Sequence, residues 1–226
     1  KYWDSVKDRD EHSTSFDYDG IIDFVRKYQG VRPAPIASAE KTIDINGDIA
    51  QWNDVAPEFI NNRGTYTRNQ MGYGGVVYEN YTARNNVILS KVARDSEKVY
   101  FYAETLDKLT PETDDKWMRL YINTDRNRAT GWEGYDLAIN RLNENGKAII
   151  EKYVKTIEKN SYTWEKIGET DVLIEGTKLY IKIPKSFVSQ GRLDFEFKWN
   201  DNMQKPDVMD FYVNGSSAPM GRFNYL

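Results

Sequence analysis

From Lys41 onward the chain alternates apolar and polar residues in short runs broken by Gly, Asn and Asp, the period-two signature of half-buried β-strands. Val87 to Arg94 and Val99 to Thr105 are two such runs, and Asp95-Ser96-Glu97-Lys98 between them reads as a hairpin turn. Met118, Leu120 and Ile122 alternate with Arg119, Tyr121 and Asn123, so one face of that strand is buried and the other wet. The clearest strand sets Leu193, Phe195, Phe197 and Trp199 against Arg192, Asp194, Glu196 and Lys198. Further strands are expected at Thr42 to Ile45, Asp136 to Asn140, Lys147 to Val154, Tyr162 to Ile167, Asp171 to Glu175, Lys178 to Ile183 and Met209 to Asn214. Roughly ten short strands joined by turns such as Asn145-Gly146 and Glu175-Gly176 predict an all-β fold, an antiparallel β-sandwich of jelly-roll or immunoglobulin-like type. No stretch alternates strand with helix as a parallel α/β sheet requires.

The beginning of the chain breaks this pattern. Lys1 to Asp19 is dense in Asp, Lys, Ser and Glu, and Ile21, Ile22, Phe24, Val25 and Tyr28 then recur at helical spacing. Two prolines, Pro33 and Pro35, favour extended chain and end any helix. Residues 1–40 therefore read as a short helical tail with a proline-containing linker, the trailing end of a preceding domain, and residues 41–226 as the sandwich. Asn61 to Arg84, with Gly64, Gly72, Gly74 and Gly75, fits neither pattern and reads as a long loop, a kind of segment that is usually functional or disordered.

Composition narrows the chemistry. Among 226 residues there is no cysteine and one histidine, His12, which excludes disulfides, thiolate metal sites, a cysteine nucleophile and multi-histidine centres. His12 lies among Asp10, Glu11 and Ser13 and reads as a solvated side chain. With Lys+Arg 31 against Asp+Glu 35 the net charge is -4, which argues against a nucleic-acid partner held through phosphates. No apolar run approaches the roughly 18–20 residues of a membrane-spanning helix, and there is no signal peptide, so the sequence reads as a mature or excised piece. Tyr 16 and Trp 6 stand against Phe 9, and the first two kinds carry a polar handle on a flat ring.

Three constellations could carry chemistry. Asn123, Asp125, Asn127 and Asp136 offer the oxygen-only ligands that calcium prefers, although Arg128 and Gly134 stand where an EF-hand loop needs Gly and Glu. The alternative is an Asx-rich turn whose side chains bond their own backbone. Asn200, Asp201, Asn202 and Gln204 follow Trp199 in a polar loop, and amides and carboxylates beside an indole match sugar hydroxyls and C–H faces. Trp199 itself continues a buried alternation and suits core as well as ligand. Trp117, Trp132 and Trp164 fall outside clean alternation and are candidate platforms, whereas Trp52 reads as a core anchor and Trp3 belongs to the tail. Glycosidase carboxylates cannot be nominated without spatial separation, and no nucleophile elbow, phosphate-binding loop or dinucleotide fingerprint is present.

Ile43-Asp44-Ile45-Asn46-Gly47-Asp48-Ile49-Ala50-Gln51-Trp52 resembles the opening motif of family 9 carbohydrate-binding modules and related DOMON-like sandwiches. The resemblance continues through Lys91 to Asp95, Val99 to Tyr102, Leu120 to Asp125, Gly131-Trp132 and Gly134-Tyr135-Asp136. It covers residues 41–226 and departs from the pattern at Asn123, where the family more often has aspartate. The resemblance implies non-catalytic binding of an oligo- or polysaccharide between tryptophans, with structural Ca2+, in a secreted, periplasmic or cell-surface bacterial protein. It also implies attachment to a catalytic domain of a glycan-degrading protein, in keeping with a tail that resembles the linker end of glycosidase-like regions. Only Trp132 and Asp136 carry over by motif. Three other readings remain open: a haem-binding DOMON-type module using a methionine (Met71, Met118, Met203, Met209 or Met220) or a lysine, a carboxylate hydrolase, or a module that braces a neighbouring glycoside hydrolase.

Overall fold

The computed structural model describes residues 36–61, 67–157, 162–189, 191, 193–219 and 224–225. The chain divides into two units, Lys1–Ile36 and Ala37–Leu226, and every described strand belongs to the second. The expected tail helix, Trp3, His12 and most of the linker lie outside the described residues.

The strands are β1 (Phe59–Ile60), β2 (Arg68–Met71), β3 (Val77–Asn80), β4 (Val87–Arg94), β5 (Lys98–Thr105), β6 (Arg119–Asn123), β7 (Leu137–Glu144), β8 (Lys147–Lys155), β9 (Tyr162–Glu175), β10 (Lys178–Pro184), β11 (Glu196–Asp201), β12 (Ser216–Ala218) and β13 (Asn224–Tyr225). Two single-turn helices, α1 (Lys185–Val188) and α2 (Asp210–Val213), interrupt them. One antiparallel sheet runs in the order β1-β4-β5-β10-β9-β8-β7-β6-β11-β12, with β13 also on β11, while β2 and β3 form a separate hairpin. The fold is nearly all β, as the alternation requires.

The long strand β9 lets one sheet serve as two layers. Its last residues, Val172 to Glu175, pair with β10, and Tyr162 to Asp171 pair with β8. A register shift at Ile150/Glu151 and another between Ile139 and Asn143 bend the strands there, as bulges do. The sheet thus curls over, and its two ends meet where Asn61 Nδ2 donates to both Val87 O (3.1 Å) and Ser217 O (3.0 Å). Inward-facing residues from both layers, among them Val92, Phe101, Leu120, Ile139, Ile150, Ile181, Phe197 and Trp199, form the main core. Each such side chain removed from water contributes about 1.5–3 kcal/mol.

Both outer faces are also covered. Ile43, Ile45, Trp52 and Val55 lie over Tyr100, Tyr102 and Tyr180 on one layer, with the Trp52 and Tyr102 rings 5.3 Å apart. Asp48 caps the 3-10 turn Ile49–Trp52 by accepting from Ala50 N, and Gln51 both donates to Asp44 O and accepts from Asp44 N. Trp52 is a core anchor, as expected. Thr42 to Ile45 is not a strand, because this segment lies across a sheet face where no edge offers a ladder of partners.

Other expectations shift in detail. Tyr162 to Ile167 and Asp171 to Glu175 merge into β9, and Asp136 to Asn140 extends to Glu144 as β7. The Asn145-Gly146 turn joins β7 to β8 with both residues at positive φ (52° and 77°). Met209 to Asn214 forms α2 where a strand was expected, because the Asp210 carboxylate accepts from Gln204 N and Lys205 N and fastens a compact turn. Asn61 to Arg84, expected as a loop, contains β2 and β3, and β1 lies just before it.

Candidate functional site

The outer face of the second layer carries a row set by register: Lys198 on β11, Tyr121 on β6, Ala138 on β7, Glu151 on β8 and Lys166 on β9. Tyr121 is the wet-face tyrosine of the sequence pattern, yet here it is buried under a roof. Its ring lies 5.6 Å from Trp132, 5.4 Å from Tyr135 and 5.5 Å from Phe211. Two loops supply that roof. The β6–β7 loop turns at Gly131 (φ 63°), after which Trp132 and Tyr135 exchange backbone hydrogen bonds of 2.8 and 2.9 Å. The loop after β11 contributes Met203 and, through α2, Phe211. Burial pushes the Tyr121 hydroxyl's pKa up, and the nearby Arg119 guanidinium opposes that rise.

Where the roof ends a cavity of about 180 Å³ opens, lined by Trp132, Trp164, Tyr162, Arg119, Arg141, Lys116, Asp115, Lys205 and Gln204 among others. Trp132 and Trp164 meet at 6.5 Å with their planes at 66°. They form a corner, because that separation leaves no slot for a ring between them. Trp164 is half-buried, edge-on to Tyr153 at 5.9 Å, and Tyr153 in turn stacks on Tyr162 at 5.4 Å. The Arg141 guanidinium lies 5.3 Å from the Trp164 ring centre and donates through two nitrogens to the buried Glu151 carboxylate. That contact holds both the indole and the fork in place. Arg119 donates to the Asp115 carbonyl, which orients it at the rim. The arrangement offers an apolar corner beside several fixed N–H donors, a combination suited to a polar ligand with one C–H face.

A larger hollow of about 450 Å³ lies between Thr124, Asp136, Lys152 and α1. Its floor is Leu137, Ile167, Phe187 and Val188, residues of the main core or packed on it, with no indole.

Three of the eight candidate sugar-binding residues converge on the corner: Trp132, Trp164 and Gln204. Trp117 and Trp199 do not, since both are buried in the main core, where Trp117 Nε1 donates to Thr110 O. Asn200 is buried and ties β11 to β12 by donating to Ser217 Oγ. Asp201 is fully buried and accepts from Met118 N, Asn85 Nδ2 and Arg84 Nε. Asn202, half-buried at φ 63°, bonds Asn214 O and the Gln204 side chain, so its amide braces the loop. The reason is common to the group. Both faces of β11 are covered, one by the core and one by the roof, and polar side chains there must be satisfied internally. The residues missed by sequence reasoning are Arg119, Arg141, Lys116, Lys205 and Tyr162; Arg119 alone carried a signal, as a wet-face position of β6.

No protein-family model, curated protein or solved structure shows significant similarity to the chain. The family resemblance therefore rests on sequence motifs alone.

The structure places those motifs in distinct roles. The Ile43–Trp52 stretch is the cover of the first layer, and Trp132 with Tyr135 is the roof of the second. In the calcium candidate, the oxygens bond locally: Asp125 accepts from Asn127 N (2.7 Å) and Thr130 Oγ1, Asn127 from Ala129 N, and Asp136 from Thr124 N and Oγ1. Asn123 is buried, donates to Glu196 and keeps Oδ1 without a partner. Among the described residues no three His, Cys, Asp or Glu side chains gather into a metal cluster. This bonding is that of the Asx-turn alternative. Burial raises the Asp136 pKa, and the Thr124 donors hold it back. Asp125→Ala is expected to lower stability by about 1 kcal/mol through the lost turn bonds. Melting curves in calcium and in chelator should shift alike, and a shift confined to calcium would restore the metal reading.

Proposed function

We propose that this chain is a non-catalytic carbohydrate-binding module that takes a sugar against the Trp132/Trp164 corner. The observation that carries the reading is the convergence of two loop and strand tryptophans with Arg119, Arg141 and Gln204 at one cavity on an otherwise roofed face. The indoles would meet the C–H face of a pyranose while the guanidinium and amide groups meet its hydroxyls. The all-β frame and the family 9-like motifs support the same reading, and with it an accessory role beside a glycan-degrading domain of a secreted, periplasmic or cell-surface protein. A binding role is also supported by the carboxylates at the cavity. Glu151 is buried with both oxygens engaged by Arg141, which leaves Asp115 as the one exposed carboxylate of the lining. A glycosidase needs two carboxyl groups facing the scissile bond.

Calorimetric titration of a panel of oligosaccharides is the test. At least one should bind, and Trp164→Ala should weaken that binding about tenfold or more. Because Trp164 also packs on Tyr153 and under Arg141, Trp164→Ala should lower the melting temperature as well, so binding is compared at a temperature where both proteins remain folded. A panel with no binder, or a binder indifferent to Trp164, would overturn the reading.

A further inference from the structure

The chain carries a net charge of -4, yet its candidate cavity is lined by four cationic side chains, Lys116, Arg119, Arg141 and Lys205, against the single exposed carboxylate of Asp115. The four are not equivalent. Arg141 is neutralised by its fork to buried Glu151. Arg119 donates to the Asp115 backbone carbonyl and makes no ion pair among the described residues. Lys116 and Lys205 make no ion pair among the described residues; Asp114, two residues before Lys116, is held by the Arg84 guanidinium, although the Lys116 charge also helps to keep its carboxyl ionised. Several lysines elsewhere are paired, Lys166 with Glu144, Lys147 with Glu169, Lys185 with Glu40 and Lys41 with Asp54, while others such as Lys98 and Lys152 stand singly with no ion pair among the described residues.

What sets this cavity apart is the grouping of four cations beside two indoles with one exposed carboxylate among its lining residues. A neutral sugar offers these groups hydroxyl acceptors but no opposite charge, so desolvating them against it costs free energy that an anion would offset. An anionic one would complete the site, since its ring can lie on the tryptophan corner while its charged group meets Lys116, Arg119 and Lys205.

We infer that the corner selects an acidic saccharide, one bearing a carboxylate or sulfate group on a pyranose ring. This rests on the carbohydrate reading above and deepens it. The flat guanidinium of Arg119 favours the planar carboxylate of a uronic acid, and the two ammonium groups serve either anion as point charges.

The test titrates the 226-residue chain with three size-matched probes: a neutral gluco-oligosaccharide, an oligogalacturonide and a sulfated galacto-oligosaccharide. One acidic probe should bind roughly tenfold or more tighter than the neutral one at low ionic strength, and raising the salt to about 0.5 M should erase most of that advantage. The better of the two acidic probes identifies the anion. Lys116→Gln/Lys205→Gln should collapse the acidic-to-neutral ratio, whereas Lys98→Gln on the other layer should keep it. Because the salt series uses the unaltered chain, it stands even if the double variant folds poorly. Equal binding of all three probes without salt dependence would overturn the acidic preference and leave the carbohydrate reading intact. No binding by any probe would overturn both.

Discussion

Arg84→Ala should destabilise the protein by about 3–5 kcal/mol, because it strands a buried carboxylate. Asp201 has no exposed side-chain surface, and Arg84 Nε donates to it at 2.7 Å while the other guanidinium nitrogens grip Asp114. Met118 N and Asn85 Nδ2 also bond Asp201 Oδ1, but neither carries a charge. The guanidinium thereby joins the segment before β4, the segment before β6 and the end of β11 at one point. The two carboxylates titrate in opposite senses. The Arg84 hydrogen bonds hold Asp114 down to about 2, so its contribution is complete above the ordinary carboxylate range and is lost as pH falls through about 2. Burial raises the Asp201 pKa, with Met118 N–H and Arg84 opposing, so acid favours its neutral form and relieves the cost of burying it charged. The deficit of Arg84→Ala should therefore be largest near pH 7 and shrink toward pH 4, where the stranded Asp201 takes up a proton. Urea unfolding at both pH values measures this. Arg84→Ala/Asp201→Asn should recover much of the loss at pH 7, and an unrecovered loss would point to packing instead of charge.

The frame was legible because strands with one buried face write period two into the chain. Val87 to Arg94 is β4 to the residue, and the hairpin at Asp95 closes as expected, with the Asp95 carboxylate accepting from Glu97 N and Lys98 N. Legibility failed in two ways: through a partner lying far along the chain, and through local hydrogen bonds that override a strand-like composition. Thr42 to Ile45 alternates because one side packs on tyrosines of the first layer, a burial that imitates a strand without a ladder. Met209 to Asn214 has the aromatic and β-branched residues of a strand, but local carboxylate bonds from Asp210 win.

The site shows the same division. Trp132 and Trp164 stood out because they broke the pattern of their neighbours, and both reach the cavity. Trp117 broke it too, yet it closes the main core from a segment flanked by charged residues. The polar run after Trp199 matched sugar chemistry by residue type, while its burial depended on α2 and the β12 edge covering it. Arg141 and Lys205 meet only through strand register and a turn, which spacing along the chain does not express.

Gly131→Ala should cost about 3 kcal/mol and, if the proposed site binds sugar, remove that binding with it, which ties the roof to the site. Gly131 sits at φ 63°, a region costing an L-residue about 1–2 kcal/mol. A Cβ there would lie 2.2 Å from the Tyr135 carbonyl oxygen and 2.5 Å from its carbon, contacts that no side-chain adjustment can relieve. The backbone must open, and what opens is the exchange of hydrogen bonds between Trp132 and Tyr135. Trp132 then leaves the roof, where it touches Tyr121, Tyr135 and Phe211, and one wall of the corner goes with it. Trp132→Phe should separate the two effects, because it keeps an aromatic in the roof while shortening the wall. It should melt closer to the parent than Gly131→Ala does and still bind sugar more weakly. A Gly131→Ala variant that melts and binds like the parent would show that the loop adopts another path and that Trp132 is not held by this turn.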